Sequence, residues 1–334
     1  LLPPSDFWNG SVSLEQLCSS NVRSSVSVMR LPFFSNTTAF STHELPPGLS
    51  PSSFQQSSFY YPLLLLPQTQ RAAIQAVYHF ASAVDTLVDT PGRDTADDLL
   101  AKRQWLAWWR QQIEAIYAGT SFHPTLLPLA HVVERFQLPK QYFLLLIDGC
   151  ERDLIQRRYR TFEELKDYCY CVASSIGLIC IEIFGYKHPQ ARQYAIYLGY
   201  ALQLTNILRD IKPDKDRGYI YLPLEDMERF GYSEADLMAE CYDERFIELM
   251  RCEAQRARSF YHRARMYLHP DDRATLFPAE AMDLIYYRLL EKIELGDFNV
   301  FRHRYRVSFP HKVWIVFKTW LSTYLLIRRL RNLL

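Results

Sequence analysis

An all-α fold is predicted by three features of this 334-residue chain. Only 11 glycines are present while Leu, Ala, Gln, Glu and Arg are abundant, a composition that favours helical interiors over turn-rich strands. From Pro67 onward, apolar residues recur at three and four spacing in one long segment after another. No repeat period is present, which favours a single helical body over a solenoid, and the length suffices to bury its core in one large domain.

Residues 1–56 carry Ser, Pro and Thr clusters with little periodicity (LPPSDFWNGSVS, ELPPGLSPSSFQQ). That texture predicts a loosely ordered arm, set aside from the fold. The texture changes at Pro67, where QTQRAAIQAVYHFASAVDTLVD places Ile74, Val77, Tyr78, Ala81, Val84 and Val88 on one face of an amphipathic helix. Helices are predicted in turn over Thr95–Tyr117, Thr125–Phe136, Lys140–Gln156, Thr161–Phe184, Pro189–Ile211, Glu234–Tyr267, Pro278–Leu295 and His311–Asn332. Thr161 with Glu164 reads as a capping box, and Pro189 suits a first helical turn. The last helix interrupts aromatic and aliphatic residues with Lys318 and three arginines, so it is predicted to lie on a membrane rather than cross it. No stretch reaches the roughly 20 apolar residues of a span.

A formal charge of +1 gives no field for bulk nucleic-acid binding. The seven cysteines (18, 150, 169, 171, 180, 241 and 252) are odd in number and lack CxxC or zinc spacing, so reduced, packed thiols of a cytosolic protein are expected.

The chemistry concentrates in NILRDIKPDKDRGYIYLP, where Asn206, Asp210 and Asp214 recur every fourth residue and share one helical face. Stacked carboxylates repel by roughly 0.3 kcal/mol in a solvated helix, and by more when water is removed. A second pair, Asp85 and Asp89 in DTLVD, ends the helix after Pro67. One such pair is more often a solvated face. Here both sit among apolar neighbours (Ala83, Val84, Leu87 and Val88; Leu202, Leu204, Ile207 and Leu208), which favours a buried, compensated site. Oxygen ligands on two facing helices, without His or Cys, suit Mg²⁺ bridging carboxylates to a phosphate. A diphosphate would complete the set, with Arg71, Arg209, Lys215 and Arg217 as its cationic neighbours. Pro213 is expected to end the helix near Ile211 and to present Asp214 from a loop.

Together SSFYYPLLLLPQTQRAAIQAVYHF, DTLVD, YCYCVASSIGLICIEIFGY and ALQLTNILRDIKPD resemble the squalene/phytoene synthase family, which joins two prenyl diphosphates head to head. Within it, AEAMDLIYYRLLEKIELGDFNVFRHRYRV is similar to the bacterial presqualene diphosphate synthases of hopanoid pathways. The resemblance implies that residues 57–334 form an isoprenoid-synthase helical bundle around a central apolar cavity. It implies Mg²⁺ on Asp85, Asp89, Asp210 and Asp214, with Asn206 and Gln203 on the same helix as the second pair. It implies Ser58, Phe59, Tyr78 and Arg209 around the diphosphates, Tyr168 assisting proton transfer or steadying a cation, and Tyr221, Tyr286 and Arg304 closing the site. The implied reaction condenses two farnesyl diphosphates to presqualene diphosphate by Mg²⁺-dependent ionisation and cyclopropanation. Squalene, dehydrosqualene and phytoene are the alternative products, and NADPH is expected only for squalene. The cysteines and the last helix give the expectation of a cytoplasmic protein, peripheral on the inner face of the membrane, with downstream hopanoid or squalene pathway enzymes as candidate partners.

Three positions depart from the family's pattern. Ser82 stands where an arginine is usual three residues before Asp85, Thr86 where a second acid is common, and Tyr219 where an arginine precedes the Tyr221 turn. These departures and the basic, aromatic last helix support an alternative of another class: a weakly catalytic, membrane-associated partner subunit that binds prenyl diphosphates.

Overall fold

The computed structural model describes residues 60–89 and 95–331, so the arm over 1–56, Ser58, Phe59 and Cys18 lie outside the described residues. Helix α1 (Tyr60–Leu63) leads into α2 (Gln68–Asp89), followed by α3 (Ala96–Ala118), α4 (Leu127–Phe136) and α5 (Lys140–Asp153). Then come α6 (Phe162–Cys169), a π-helical turn over Tyr170–Ser174, α7 (Ser175–Phe184) and α8 (Ala191–Asp216). Two short helices, α9 (Leu224–Arg229) and α10 (Glu234–Met238), precede α11 (Glu244–Tyr267), α12 (Phe277–Leu295) and α13 (Phe309–Arg331). Among the described residues the only β feature is a bridge between Arg158 and Ile220, so the expected all-α class holds.

Local chemistry explains most boundaries. Thr95 caps α3 by accepting from the Asp98 N–H, and Gly119 (φ 64°) ends it in the left-handed conformation glycine allows. Thr161 accepts from the Glu164 N–H, but the Glu164 carboxylate takes the Arg160 N–H instead of closing the expected box. The complete box is Ser233 with Asp236 at the start of α10. Pro189 precedes α8 by two residues, outside its first turn.

The single helix expected over Glu234–Tyr267 is two. Glu240 adopts φ 55°, and Asp243 caps α11 by accepting from the Phe246 N–H at 3.2 Å. Glu240 is held there by Lys212 and by Lys215 at 3.0 Å.

Helix α8 is the axis, packed against α11, α7 and α12, while α2 and α5 close the opposite wall. Its close approach to the π turn depends on Gly199, because a Cβ there would lie 2.6 Å from the Ser174 backbone. The continuous helical run over Phe162–Phe184 is long and apolar enough to cross a membrane, contrary to the reading that no stretch is, yet more than half of it is buried here as core.

Candidate functional site

The walls of α2, α5, α6, α7, α8 and α12 enclose a cavity of about 340 Å³, within the range of roughly 300–1,000 Å³ usual for small-molecule sites. Its depth is apolar, with Leu146, Val172, Ile176, Ile181, Phe184 and Leu198 among the lining, and small residues (Ala173, Gly177, Ala195, Gly199) widen it. Polar atoms gather at one end: Asp85 and Ser82 from α2, Gln203 and Asn206 from α8, Tyr168 from α6 and Tyr286 from α12.

Of the four aspartates Asp85 lines the cavity, and the two acidic motifs meet through Arg217. The Arg217 guanidinium donates to Asp89 Oδ2 at 2.9 Å and to Asp214 Oδ1 at 2.8 Å, so carboxylates 125 positions apart in sequence face a single cation. Helix α8 does not stop near Ile211. It kinks at Asp210 (φ −103°, ψ 16°) and continues to Asp216, so Asp214 is helical rather than on a loop. Pro213 is the cause: its ring crowds the carbonyl four residues back, at Arg209, and it has no N–H to return the bond. Asp210 is gripped by Arg209, whose Nε donates to Oδ1 at 2.8 Å.

The electrostatics show an acid-rich centre short of positive charge. Asp85 lines the cavity with an exposed side chain, and desolvation by the surrounding protein, then Asp89, push its carboxyl up to about 7 despite the opposing charge of Arg217. Burial raises Asp214 to about 6, with Arg217 opposing and Asp210 assisting. The Asn206 Oδ1 is buried with no hydrogen-bond partner, an orphan acceptor on the same face. An all-oxygen donor set with one orphan acceptor and under-compensated carboxylates fits a hard divalent cation.

The remaining expected residues are placed as follows. Tyr78 and Gln203 line the cavity. Tyr168 is 5% exposed, lines the cavity, and its hydroxyl donates to Asp153 Oδ2 at 2.8 Å. Tyr221 donates to Asp153 Oδ1 at 3.2 Å and stacks on Tyr168 and Tyr219. Arg304 is exposed on the segment between α12 and α13 and is not brought to the cavity. Lys215 is turned away to Asp216 and Glu240, and Arg71 donates to the Leu64 carbonyl, so among the described residues Arg209 and Arg217 are the expected cations that reach the aspartates.

Tyr219, read above as a departure before the Tyr221 turn, carries the Arg157 guanidinium over its ring at 5.4 Å, which keeps a cation near that position. Asp153 itself was not foreseen: it is 9% exposed, and burial pushes its carboxyl up to about 7. Its one signal in the sequence is a place on the buried face of α5, seven residues along from Leu146 and three from Cys150.

Paired aspartate helices at the mouth of a deep apolar cavity define the class of helical synthases that handle prenyl diphosphates. A family profile described as squalene/phytoene synthase matches residues 55–311. A phytoene synthase of Arthrospira platensis is 39% identical over 263 residues, 74% of this chain and 82% of that protein. A 15-cis-phytoene synthase of Synechocystis sp. is 37% identical over 281 residues, 80% of this chain and 82% of that protein. Among solved structures, a dehydrosqualene synthase in complex with ligand superposes with a TM-score of 0.69 at 26% identity, covering 82% of this chain and 94% of that one. The squalene synthase HpnC of Alicyclobacillus acidocaldarius gives 0.63 at 26% identity, covering 72% and 89%. The chain belongs to the squalene/phytoene synthase family.

Proposed function

We propose that the protein condenses two identical prenyl diphosphates head to head, and that its preferred substrate is the C20 diphosphate, giving phytoene. The convergence of Asp89 and Asp214 on Arg217, with Asp85 of the first motif lining the cavity, supports the reaction class. The names of the relatives at 39% and 37% identity, together with the small residues widening the cavity, support the C20 chain. Asp85, Asp89, Asp210 and Asp214, with the Asn206 oxygen, would hold Mg²⁺. When bound, Mg²⁺ supplies the positive charge that stabilises a departing diphosphate. Arg209 and Arg217 then meet phosphate oxygens, the apolar walls exclude water from the allylic cation, and the aromatic faces of Tyr78, Tyr168 and Tyr286 stabilise it. Attack by the second chain's double bond and loss of a proton close a cyclopropane, the common intermediate type of this chemistry.

The expected farnesyl substrate with presqualene diphosphate as product is the second reading. It is favoured by the C-terminal AEAM segment and by the squalene-type names of the solved structures. Offering C15 and C20 diphosphates in competition with Mg²⁺ separates the two. The proposal expects a C40 hydrocarbon and released diphosphate, a C30 product selects the second reading, and neither product removes both.

A peripheral membrane location belongs to the same proposal. Residues 299–334 hold eight Lys and Arg and no acid, and α13 exposes Phe309, Val313, Trp314, Phe317, Trp320 and Leu321. An aromatic, cationic helix suits an anionic bilayer, into which a long hydrocarbon product would pass. Flotation with anionic and with neutral vesicles tests it: binding to the anionic ones that is lost with residues 320–334 is the expected result.

A further inference from the structure

Two His-Pro dipeptides lie outside the cavity: His188-Pro189 in the connection between α7 and α8, and His269-Pro270 in the connection between α11 and α12. A proline restricts the residue before it to extended or polyproline backbone, and His269 sits there at φ −67° and ψ 140°. Each histidine is thereby offered from a stiff corner. The fold brings the two corners together. The imidazole rings lie with centroids 3.6 Å apart and planes 29° from parallel, and Asp272, three residues past His269, reaches the His188 ring.

Asp272 is 1% exposed, and its one ion-pair partner among the described residues is that ring. Its Oδ1 accepts from the Lys187 N–H at 2.6 Å and its Oδ2 from the His188 N–H at 3.2 Å, with His188 Nδ1 at 3.1 Å from Oδ2. The two backbone donors fix the direction of the carboxylate, as outer partners do for the ligands of a metal site. Ligand atoms held about 2.0–2.1 Å from a tetrahedral ion stand about 3.3 Å from one another, close to the 3.1 Å between Nδ1 and Oδ2. One donor atom from each of His188, His269 and Asp272 lies within 4.8 Å of the other two, so small side-chain rotations close the set. Both histidines are partly exposed, which admits an ion from solvent, while the carboxylate stays covered.

We infer that His188, His269 and Asp272 form a binding site for a divalent transition ion of the Zn²⁺ class. The donor set decides the class: two imidazole nitrogens and one carboxylate oxygen match zinc and its neighbours, whereas Mg²⁺ takes oxygen ligands. Three protein ligands leave a fourth position for water. The His188 ring then carries its hydrogen on Nε2, and the hydrogen bond between Nδ1 and Asp272 gives way to two bonds to the ion.

The place of the site in the fold gives it a role. From Ala191, just past His188, to the kink at Asp210, α8 spans roughly 28 Å at 1.5 Å per residue. The ion therefore binds at the end of the bundle opposite the aspartates. Phe184 before the first connection and Pro278 after the second both line the cavity, so an ion here staples together the two connections that carry its apolar end. That role is structural, and it is independent of which prenyl diphosphate the cavity accepts.

The test titrates Zn²⁺ calorimetrically into the full chain, freed of metal by chelator and returned to excess Mg²⁺. The expected result is one Zn²⁺ per chain, bound at least about tenfold more weakly after His188→Asn and after His269→Asn, and unchanged by Asp85→Asn. An asparagine at 188 keeps a donor for Asp272, and one at 269 keeps an acceptor for the Asp271 N–H, which His269 Nδ1 now takes at 3.2 Å. The melting temperature should rise by roughly 4 °C at free Zn²⁺ a hundredfold above its dissociation constant, and both variants should lose that rise. No binding, or binding of equal strength in the parent and both histidine variants, overturns the site, the latter because the ion then sits on thiols or on the aspartates. Should a variant fail to fold, Co²⁺ bound to the unaltered chain in excess Mg²⁺ gives the second reading. Visible bands of a four-coordinate ion without a near-ultraviolet thiolate band support the site, and a thiolate band or a six-coordinate spectrum overturns it.

Discussion

Arg217 is the residue that holds the two acidic motifs to each other, and its position gives a direct prediction. Its side chain is 42% exposed and that of Asp89 48%, so the Asp89 half is worth little, about 0.2–1 kcal/mol. Asp214 is 11% exposed and depends on it more. Arg217→Ala should lower the melting temperature in chelator by a few degrees, for roughly 1 kcal/mol lost, and Mg²⁺ should recover more stability in the variant than in the parent. Calorimetry with and without Mg²⁺ measures both. If Mg²⁺ stabilises the two equally, Arg217 is not a stand-in for cation charge.

Ser82 is the second informative residue, since it lines the cavity three residues before Asp85. The enzyme reading expects robust turnover as the chain stands and less than about tenfold gain from Ser82→Arg, that is, under 1.4 kcal/mol of barrier. A rise from near zero would favour the partner-subunit alternative.

The aspartates were legible as residues because carboxylates at four spacing among apolar neighbours demand compensation. What compensates them was not, because Arg217 and Lys215 look equivalent in sequence and only the kinked helix decides which of them turns inward.

At the scale of elements, the core helices were readable from apolar period, and the errors fall where a local competitor overrides it. The pattern runs through Glu240 into α11, but the Lys212 and Lys215 contacts and the Asp243 cap break it. Pro213 was read as a stop, whereas α8, packed by α11 and α12, absorbs it as a kink at Asp210. The tight seam between α8 and the π turn could not be read at all, since a glycine in a helical pattern has no sign of what approaches it. Gly199→Ala forces a methyl to 2.6 Å from the Ser174 backbone and should cost about 1–3 kcal/mol by overpacking. Chemical denaturation should show a lower midpoint with an unchanged slope. A neutral result would mean that the seam can open freely.

For the whole molecule, the acids desolvated by surrounding protein set the response to pH. Asp85 and Asp153 are raised from 3.8 to about 7, Asp214 from 3.8 to about 6, and Glu253, buried on α11 beside Arg256, from 4.5 to about 8. Desolvation is the leading cause in each. Groups raised on folding hold extra protons in the native state, so their contribution is full below about pH 4 and is lost as pH rises toward 8. In chelator the protein should therefore melt lower at pH 8 than at pH 5.5, and Mg²⁺ should reverse part of that loss at pH 8 while doing little at pH 5.5. A melting temperature that rises across this window in chelator would contradict the assignment.

The central claim is that four carboxylates from α2 and α8 together hold divalent metal on which a prenyl diphosphate departs. Calorimetric titration of Mg²⁺ into the protein, saturated with an S-thiolo prenyl diphosphate that cannot ionise, tests it most directly. The account predicts binding that is weakened at least about tenfold, or 1.4 kcal/mol, by Asp85→Asn and equally by Asp214→Asn, with no further loss when both are combined. Binding that survives either substitution, or that loses from the two independently, would contradict a shared site.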